Sequence, residues 1–305
     1  MSEPGLREVV PGVHAWVQPD GSWWLNNAGA VHNGDDIVLI DTCATRRRTT
    51  LFLEAVAAAT GNATIRTAVN THLHGDHTYG NALLPASTTI VAHQNTRDGL
   101  LADFLLKNTP PIWSPTPNWE IDDIRPPTAT LRDTMSLYAG TTEVQLHHPG
   151  YTAHTVGDVV AWLPQQQVLF TGDLVFHQVT PLVFMGSVDG ARRSVEWLRS
   201  FPARSVVPGH GPLLTDETFN DVLDTHTRYY EFVQSTAATG IAQGRTPLDA
   251  AKDCDLGEFA TLPDPERIVL NLHRAYADRT NTPMDLAAAL TDAVTYNNGP
   301  LHCAL

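Results

Sequence analysis

Cysteine is scarce in this chain. Cys43, Cys254 and Cys303 stand far apart in 305 residues and are odd in number. That pattern argues against a disulfide framework and against a thiolate metal cluster, both of which need several cysteines at suitable spacing. Long apolar runs are also lacking: no stretch of 18 apolar residues offers a bilayer span. The first eight residues have neither a basic start nor an apolar core, so the reading is a cytoplasmic protein with no signal peptide and no membrane partner. Basic clusters are confined to Arg46-Arg47-Arg48, in a chain of net charge −14. A polyanion is repelled by such a chain as a whole, which weighs against nucleic acid as a partner. No short-period repeat or low-complexity tract interrupts the sequence. Its length suits one large α/β domain, with or without an appendage.

Ligand-type residues are what the chain does have. In His72-Leu73-His74-Gly75-Asp76-His77, four of six residues are metal-ligand types. The apolar run Ile65 to Val69 reads as a buried strand, and the string begins just past its end. His72 and His74 then point to one side of a turn. Gly75 permits the change of direction, and Asp76 and His77 emerge toward a second point. One ion cannot be reached by all four side chains at the ~2.0–2.2 Å of Zn–N and Zn–O bonds, whereas two ions about 3.5–4 Å apart can.

Three further ligand types lie in glycine-containing turns. His154 sits in Pro149–Asp158, Asp173 ends Val168-Leu169-Phe170-Thr171-Gly172-Asp173, and His210 follows Val206-Val207-Pro208-Gly209. The last two look like strand-end residues, which a sheet holds rigidly over a cleft. The order HxHxDH, His, Gly-Asp, Gly-His resembles the metallo-β-lactamase superfamily from about residue 8 to residue 215. The resemblance implies that His72, His74 and His154 bind a first metal. It implies that Asp76, His77 and His210 bind a second, with Asp173 bridging the two. Asp41, ending Ile37–Ile40, matches a family aspartate that braces the histidine loop. Asp76 is the expected catalytic residue, orienting the attacking water or shuttling its proton.

The element pattern predicts strands at 6–10, 13–17, 24–32, 36–41, 65–70, 88–92, 142–148, 157–163, 167–172 and 204–207. Helices are predicted at about 45–60, 94–107 and 190–200. The resemblance sharpens this α/β pattern to a four-layer αββα sandwich over residues 1–215, with the metal site at one edge between the sheets. Residues 216–305 read as a C-terminal helical region packed on it, with helices at 218–238, 246–253, 264–278 and 284–294. Asp264-Pro265 is the start signal of the third. A subunit contact there, and so a homo-oligomer, is a further expectation.

Asn108–Thr128 holds six prolines together with Trp113 and Trp119. A stiff, tryptophan-bearing loop of this length reads as a lid or wall over the site, with Trp23 and Trp24 on the opposite wall or, for Trp24, in the core. A tryptophan-lined cleft implies a bulky apolar or aromatic small-molecule substrate. His177 is a candidate polar contact in that cleft. His147 and His148 have the wrong offset for ligands, and Cys43 reads as a small buried residue.

All-nitrogen and oxygen ligands suit two zinc ions, with iron or manganese as alternatives. The chemistry implied is attack of metal-activated hydroxide on a metal-polarised ester, thioester, lactone or amide carbonyl, or an enolate-forming cyclisation. The stretches Gln18–Asn27 and Asn271–Tyr276 look similar to a bacterial subgroup that includes cyclase/thioesterases of aromatic polyketide pathways. That likeness implies an acyl carrier protein as substrate donor, which needs a local basic patch on this acidic chain. Glyoxalase-II-like thioesterases, lactonases and β-lactamase-like hydrolases share the ligand set. The glyoxalase type normally offers basic C-terminal residues, and residues 215–305 are rich in Asp and Glu.

Overall fold

The computed structural model describes residues 3–305 of the chain. Strands β1 (Gly5–Val10), β2 (Val13–Val17), β3 (Ala28–Asn33) and β4 (Asp36–Ile40) form an antiparallel meander. A helix, α1 (Arg46–Thr60), then carries the chain back, so that β5 (Thr64–Val69) and β6 (Thr89–His93) run parallel to β4. Crossover helices are what parallel pairing requires. The α1 helix is capped by the Thr45 side chain, which accepts from the Arg48 amide, and ends at Gly61 in the left-handed region. Short helices α2 (Gly75–Thr78) and α3 (Gln94–Leu101) flank β6, and β7 (Trp113–Ser114) lies in the proline-rich segment. The first sheet ends with β8 (Ala129–Leu131) on β6.

The second sheet holds β9 (Thr134–Ala139), β10 (Thr142–His147), β11 (Val160–Leu163), β12 (Val168–Phe176), β13 (Ser205–His210) and β14 (Leu214–Thr215), in the order β14-β13-β12-β11-β10-β9. Its one parallel pair, β12 with β13, is joined through α4 (Val188–Leu198). The central strands, such as β4 and β12, are buried on both faces, and period-two alternation sorts their side chains into layers. Val38 and Ile40 of β4 face Val144, Leu146 and Phe170 of the second sheet, while Ile37 and Leu39 pack with Phe52 and Val56 of α1. The outer face of the second sheet, through Leu169 and Val206, meets α4, α5 (Asp216–Ala242) and α7 (Arg267–Thr280). The result is the expected αββα sandwich, with α6 (Pro247–Asp253) and α8 (Leu286–Tyr296) completing the C-terminal helices. A last strand, β15 (Leu301–His302), pairs with β7. Among the described residues, no helix is long and apolar enough to cross a membrane.

The differences from the sequence pattern have local causes. Strand 24–32 begins only at Ala28, because Trp24 adopts φ 69° and Asn26 and Asn27 leave the ladder to bond elsewhere. Helix 94–107 stops at Leu101, and the Asp103 side chain instead accepts from the Leu106 amide in a turn. Asp264 takes φ 56°, so the third C-terminal helix begins at Arg267 rather than at Pro265.

Asn27 pins the two sheets together at the edge that carries the ligand-type residues. Its amide donates to Gly209 O at 2.7 Å, and its side-chain nitrogen donates to Pro208 O and Gly211 O at 2.9 and 2.8 Å. Asn27→Ala leaves the buried Pro208 and Gly211 carbonyls short of a donor and is expected to cost about 1–3 kcal/mol. Urea unfolding of wild type and variant checks this, and coincident curves refute the clamp.

Candidate metal centre

Asp41 organises the histidine loop. It follows β4 with φ 60° and turns its carboxylate toward the end of β5. Oδ1 accepts from the Thr71 amide at 2.7 Å, and Oδ2 accepts from Thr71 Oγ1 at 2.7 Å and from His77 Nδ1 at 2.8 Å. The chain then turns at Gly75, where any Cβ would lie 2.4 Å from the Tyr79 ring, so the first helical residue must be glycine. His154 is presented by a loop that Asp158 ties together by accepting from the amide and hydroxyl of Thr155. Burial pushes the Asp158 carboxyl up to about 7. Asp173 and His210 come from the neighbouring strands β12 and β13. Gly209 lets those backbones approach, since a Cβ there would sit 2.0 Å from Asp173 Oδ1.

The seven residues expected as ligands converge in two groups. His74 Nδ1 lies 3.0 Å from His72 Nε2 and 2.9 Å from His154 Nε2. Asp173 Oδ2 lies 3.7 and 3.4 Å from those two Nε2 atoms. In the second group, Asp76 Oδ2 is 3.2 Å from His210 Nε2 and 3.8 Å from His77 Nε2. Asp173 borders this group as well, with Oδ1 3.1 Å from His77 Nε2 and Oδ2 3.4 Å from His210 Nε2. A tetrahedral ion with ligands at about 2.0–2.2 Å separates its donor atoms by roughly 3.3–3.6 Å, and these spacings scatter around that value.

Proton bookkeeping tests the fit independently. His154 Nδ1 donates to Leu182 O and His210 Nδ1 to Gly21 O, because a carbonyl can only accept. His77 Nδ1 donates to Asp41. Thr71 gives its hydroxyl proton to Asp41, so it can only accept from His72 Nδ1 at 3.1 Å. In their neutral form these four imidazoles turn Nε2 lone pairs toward the cluster, and His77 Nε2 and Asp173 Oδ1 are buried with no hydrogen-bond partner. Such lone pairs gathered with carboxylates fit two divalent cations. The donor set suits zinc, and equally iron or manganese.

Burial lowers His72 well below the usual imidazole range and His74 to about 3, with His154 also lowered. For His210, burial pulls the same way, but Asp173 and Asp76 outweigh it and raise the ring to about 9. His77 is likewise held well above its usual range against burial, by Asp173, Asp41 and Asp76. The second group thus attracts positive charge strongly, and a cation can take the place of those protons.

A cavity of about 270 Å³ opens onto His74, Asp76, Asp173 and His210. Trp23, Trp24 and Trp113 line it, and so do Leu182, Phe184, Leu286 and Leu290. Trp23 and Trp24 do not oppose Trp113. Ring centroids 5.8 and 5.1 Å from Trp113 put all three in one wall, because the turn before Trp24 folds against β7. Trp119 lies behind that wall, 4.6 Å from Trp24, and donates its indole N–H to Thr109 Oγ1. His177 does not line the cavity. Its Nδ1 bonds Pro212 O and its amide donates to His210 O, so it braces the His210 turn. His148 is occupied by Asp158 O and by stacking on His93, away from the cluster. Sequence reasoning missed Thr71, Asp158, Phe184, which stacks on His74 at 5.2 Å, and the buried Arg267 of α7, which also lines the cavity.

Removing the brace tests the centre without any assay of turnover. Asp41→Ala frees His77 and the Thr71 turn and is expected to weaken metal retention 10- to 100-fold. Elemental analysis after dialysis against graded chelator measures this. Retention equal to wild type refutes the bracing role.

Comparison with known proteins gives a consistent result. A family model described as "Metallo-beta-lactamase superfamily" matches residues 21–210, well over half of the chain. A hydroxyacylglutathione hydrolase of Methylococcus capsulatus is 32% identical over 142 residues, which are 46% of this chain and 45% of that protein. The chain therefore spans less than half the length of this relative. Among solved structures, the sec-alkylsulfatase Pisa1 from Pseudomonas sp. aligns with TM-score 0.70 at 16% identity, over 93% of this chain and 51% of that one. A metallo-beta-lactamase from Pontibacter korlensis aligns with TM-score 0.59 at 19% identity, over 75% of this chain and 99% of that one. At such identities the likeness is one of fold. The family match spans the His72–His77 string, the His154 loop, Asp173 and His210: the chain belongs to the metallo-beta-lactamase superfamily.

Proposed function

We propose that this protein is a dinuclear metal-dependent hydrolase of bulky apolar or aromatic acyl thioesters, with cyclase/thioesterase action on a polyketide as its most specific form. The observation that carries this reading is the continuity of the tryptophan wall with the ligand cluster. Trp23, Trp24 and Trp113 line the same cavity as His74, Asp76, Asp173 and His210. Such a wall favours a flat apolar acyl group at the reacting end.

His72, His74, His154 and Asp173 would hold one ion, and Asp76, His77, His210 and Asp173 the other. When bound, two divalent ions supply Lewis acidity and water of lowered pKa. The chain's own part is positioning. The Leu182 and Gly21 carbonyls and the Asp41 carboxylate keep the imidazoles in one tautomer. Phe184 stacked on His74 and Phe176 stacked on His210 shield the ligands from bulk water. Asp76 faces the cavity and can take the proton of the attacking water and return it to the leaving thiolate at its Oδ atoms. In hydrolysis the acyl C–S bond breaks, a C–O bond forms, and water supplies both the hydroxyl and the thiol proton. An acyl carrier protein as donor and a cytoplasmic setting belong to this reading.

A second reading, a glutathione thioesterase, is favoured by the hydroxyacylglutathione hydrolase relative. One substitution tests the chemistry that the two readings share, and a second separates them. Asp76→Asn should keep its thermal transition within a few degrees and lose on the order of 10²–10⁴ in kcat. Near-normal turnover would refute its role. Trp113→Ala should lose about 10- to 200-fold in kcat/KM on an aromatic acyl thioester and little on S-lactoylglutathione. Equal losses on both would mean that the wall supports the site generally. A wild-type preference for S-lactoylglutathione would establish the second reading.

A further inference from the structure

Arg267 is the one arginine or lysine lining the cavity among the described residues, and it is only 1% exposed. It is the first residue of α7. Its guanidinium lies 4.9 Å from the Trp23 ring and 5.8 Å from the Phe176 ring, within cation–π range of both. Phe176 in turn stacks on His210. The cation therefore sits one phenyl ring away from the metal ligands, in the same enclosed space.

Its hydrogen bonding is incomplete. Nη1 donates to Thr180 O at 2.9 Å. Nη2 stands 2.8 Å from Asp264 Oδ2, but that oxygen has no aligned hydrogen bond, and Arg267 Nε has no partner at all. A guanidinium has five N–H donors, and leaving them unmet in a buried place is costly. Fold stability alone gives little reason to keep a part-satisfied ion pair here, since apolar residues in place of both Arg267 and Asp264 often pack such a site as well or better. An acceptor atom brought by a ligand completes it.

Charge narrows the ligand. Asp264 already balances Arg267, and Glu266, buried beside it, accepts from the Trp23 indole. A ligand carboxylate entering this end would face two acidic side chains against one cation. A neutral carbonyl oxygen meets the open donors without that repulsion. Resting on the thioesterase reading above, we propose that Arg267 is the specificity-determining residue of the cavity. Its guanidinium donates to a keto oxygen on the acyl chain, remote from the reacting carbon, so that keto-bearing aromatic acyl groups are selected over their deoxy counterparts.

Two stable acids isolate this single oxygen: 4-oxo-4-phenylbutanoate and 4-phenylbutanoate, which share the carboxylate and the phenyl ring. Titration calorimetry with the metal-loaded protein should show the keto acid bound about 10- to 100-fold tighter, the scale of a hydrogen bond to a charged group. The preference should vanish in Arg267→Met and persist in part in Arg267→Lys. Because Arg267→Met strands Asp264, the pair Arg267→Met with Asp264→Asn removes both charges and should also lack the preference. Equal affinity of wild type for the two acids, or a preference that survives in both methionine variants, overturns the proposal. Turnover of the two acids' thioesters reads the parent hypothesis separately. If both are hydrolysed but no keto preference exists, the thioesterase reading stands and the role of Arg267 falls. If the preference exists but neither thioester is hydrolysed, the binding role stands and the thioesterase reading falls.

Discussion

Each histidine of the cluster has two ring nitrogens, and for His72, His77, His154 and His210 the fold commits one of them to a fixed partner. Leu182 O, Gly21 O, Asp41 and Thr71 each accept one N–H, and by doing so they decide which nitrogen faces inward without a proton. The rest of the molecule can be understood as the apparatus that places these four acceptors. The two sheets set the separation between Asp41, after β4, and His210, at the end of β13. The turn at Gly21 reaches His210 only because Asn26 and Asn27 tie that segment to the second sheet. A single misplaced acceptor would let a ring flip or change tautomer, and a donor hydrogen would then point where a lone pair is needed.

The C-terminal helices belong to the same apparatus. Asn271 of α7 accepts from the Val183 amide at 2.6 Å and donates to Pro181 O at 2.8 Å, with Tyr229 of α5 as its third partner. It thereby holds both sides of Leu182, whose carbonyl orients His154. Helices that carry no ligand of their own thus reach the centre through one buried amide. The same α7 brings Arg267 into the cavity, and α8 closes it with Leu286 and Leu290.

Much of this was legible in the sequence, for physical reasons. The ligand string and the strand-end residues are readable because metal ligands are few in type and must sit where backbone is rigid or turns sharply. Strands β2, β4 and β6 are readable because they are largely apolar runs, whereas β5 is buried only at Ala68 and Val69. By contrast, β9 went unread: Met135, Leu137 and Ala139 alternate with Thr134, Ser136 and Tyr138, too weak a signal beside the neighbouring proline-rich segment. Two-residue strands such as β7 and β15 exist only through each other and have no local signature. His177 read as a cleft residue because it follows Asp173 closely, but β12 continues to Phe176 and turns the next ring toward Pro212. A lone arginine at the start of an amphipathic helix looks like any solvated charge. Only packing against Trp23, far away in the chain, makes Arg267 a cavity residue.

The aromatic wall has an optical consequence. Four of the chain's seven tryptophans, Trp23, Trp24, Trp113 and Trp119, form one cluster with neighbouring centroids 4.6 to 5.8 Å apart, and three of them border the cavity. Indoles this close exchange excitation energy and share their response to any change in local polarity. A molecule that enters the cavity displaces water from three members of the cluster at once. Three of the seven indoles therefore report on the space beside the metal ligands, and the colour and intensity of the intrinsic emission offer a gauge of cavity occupancy, free of any added label.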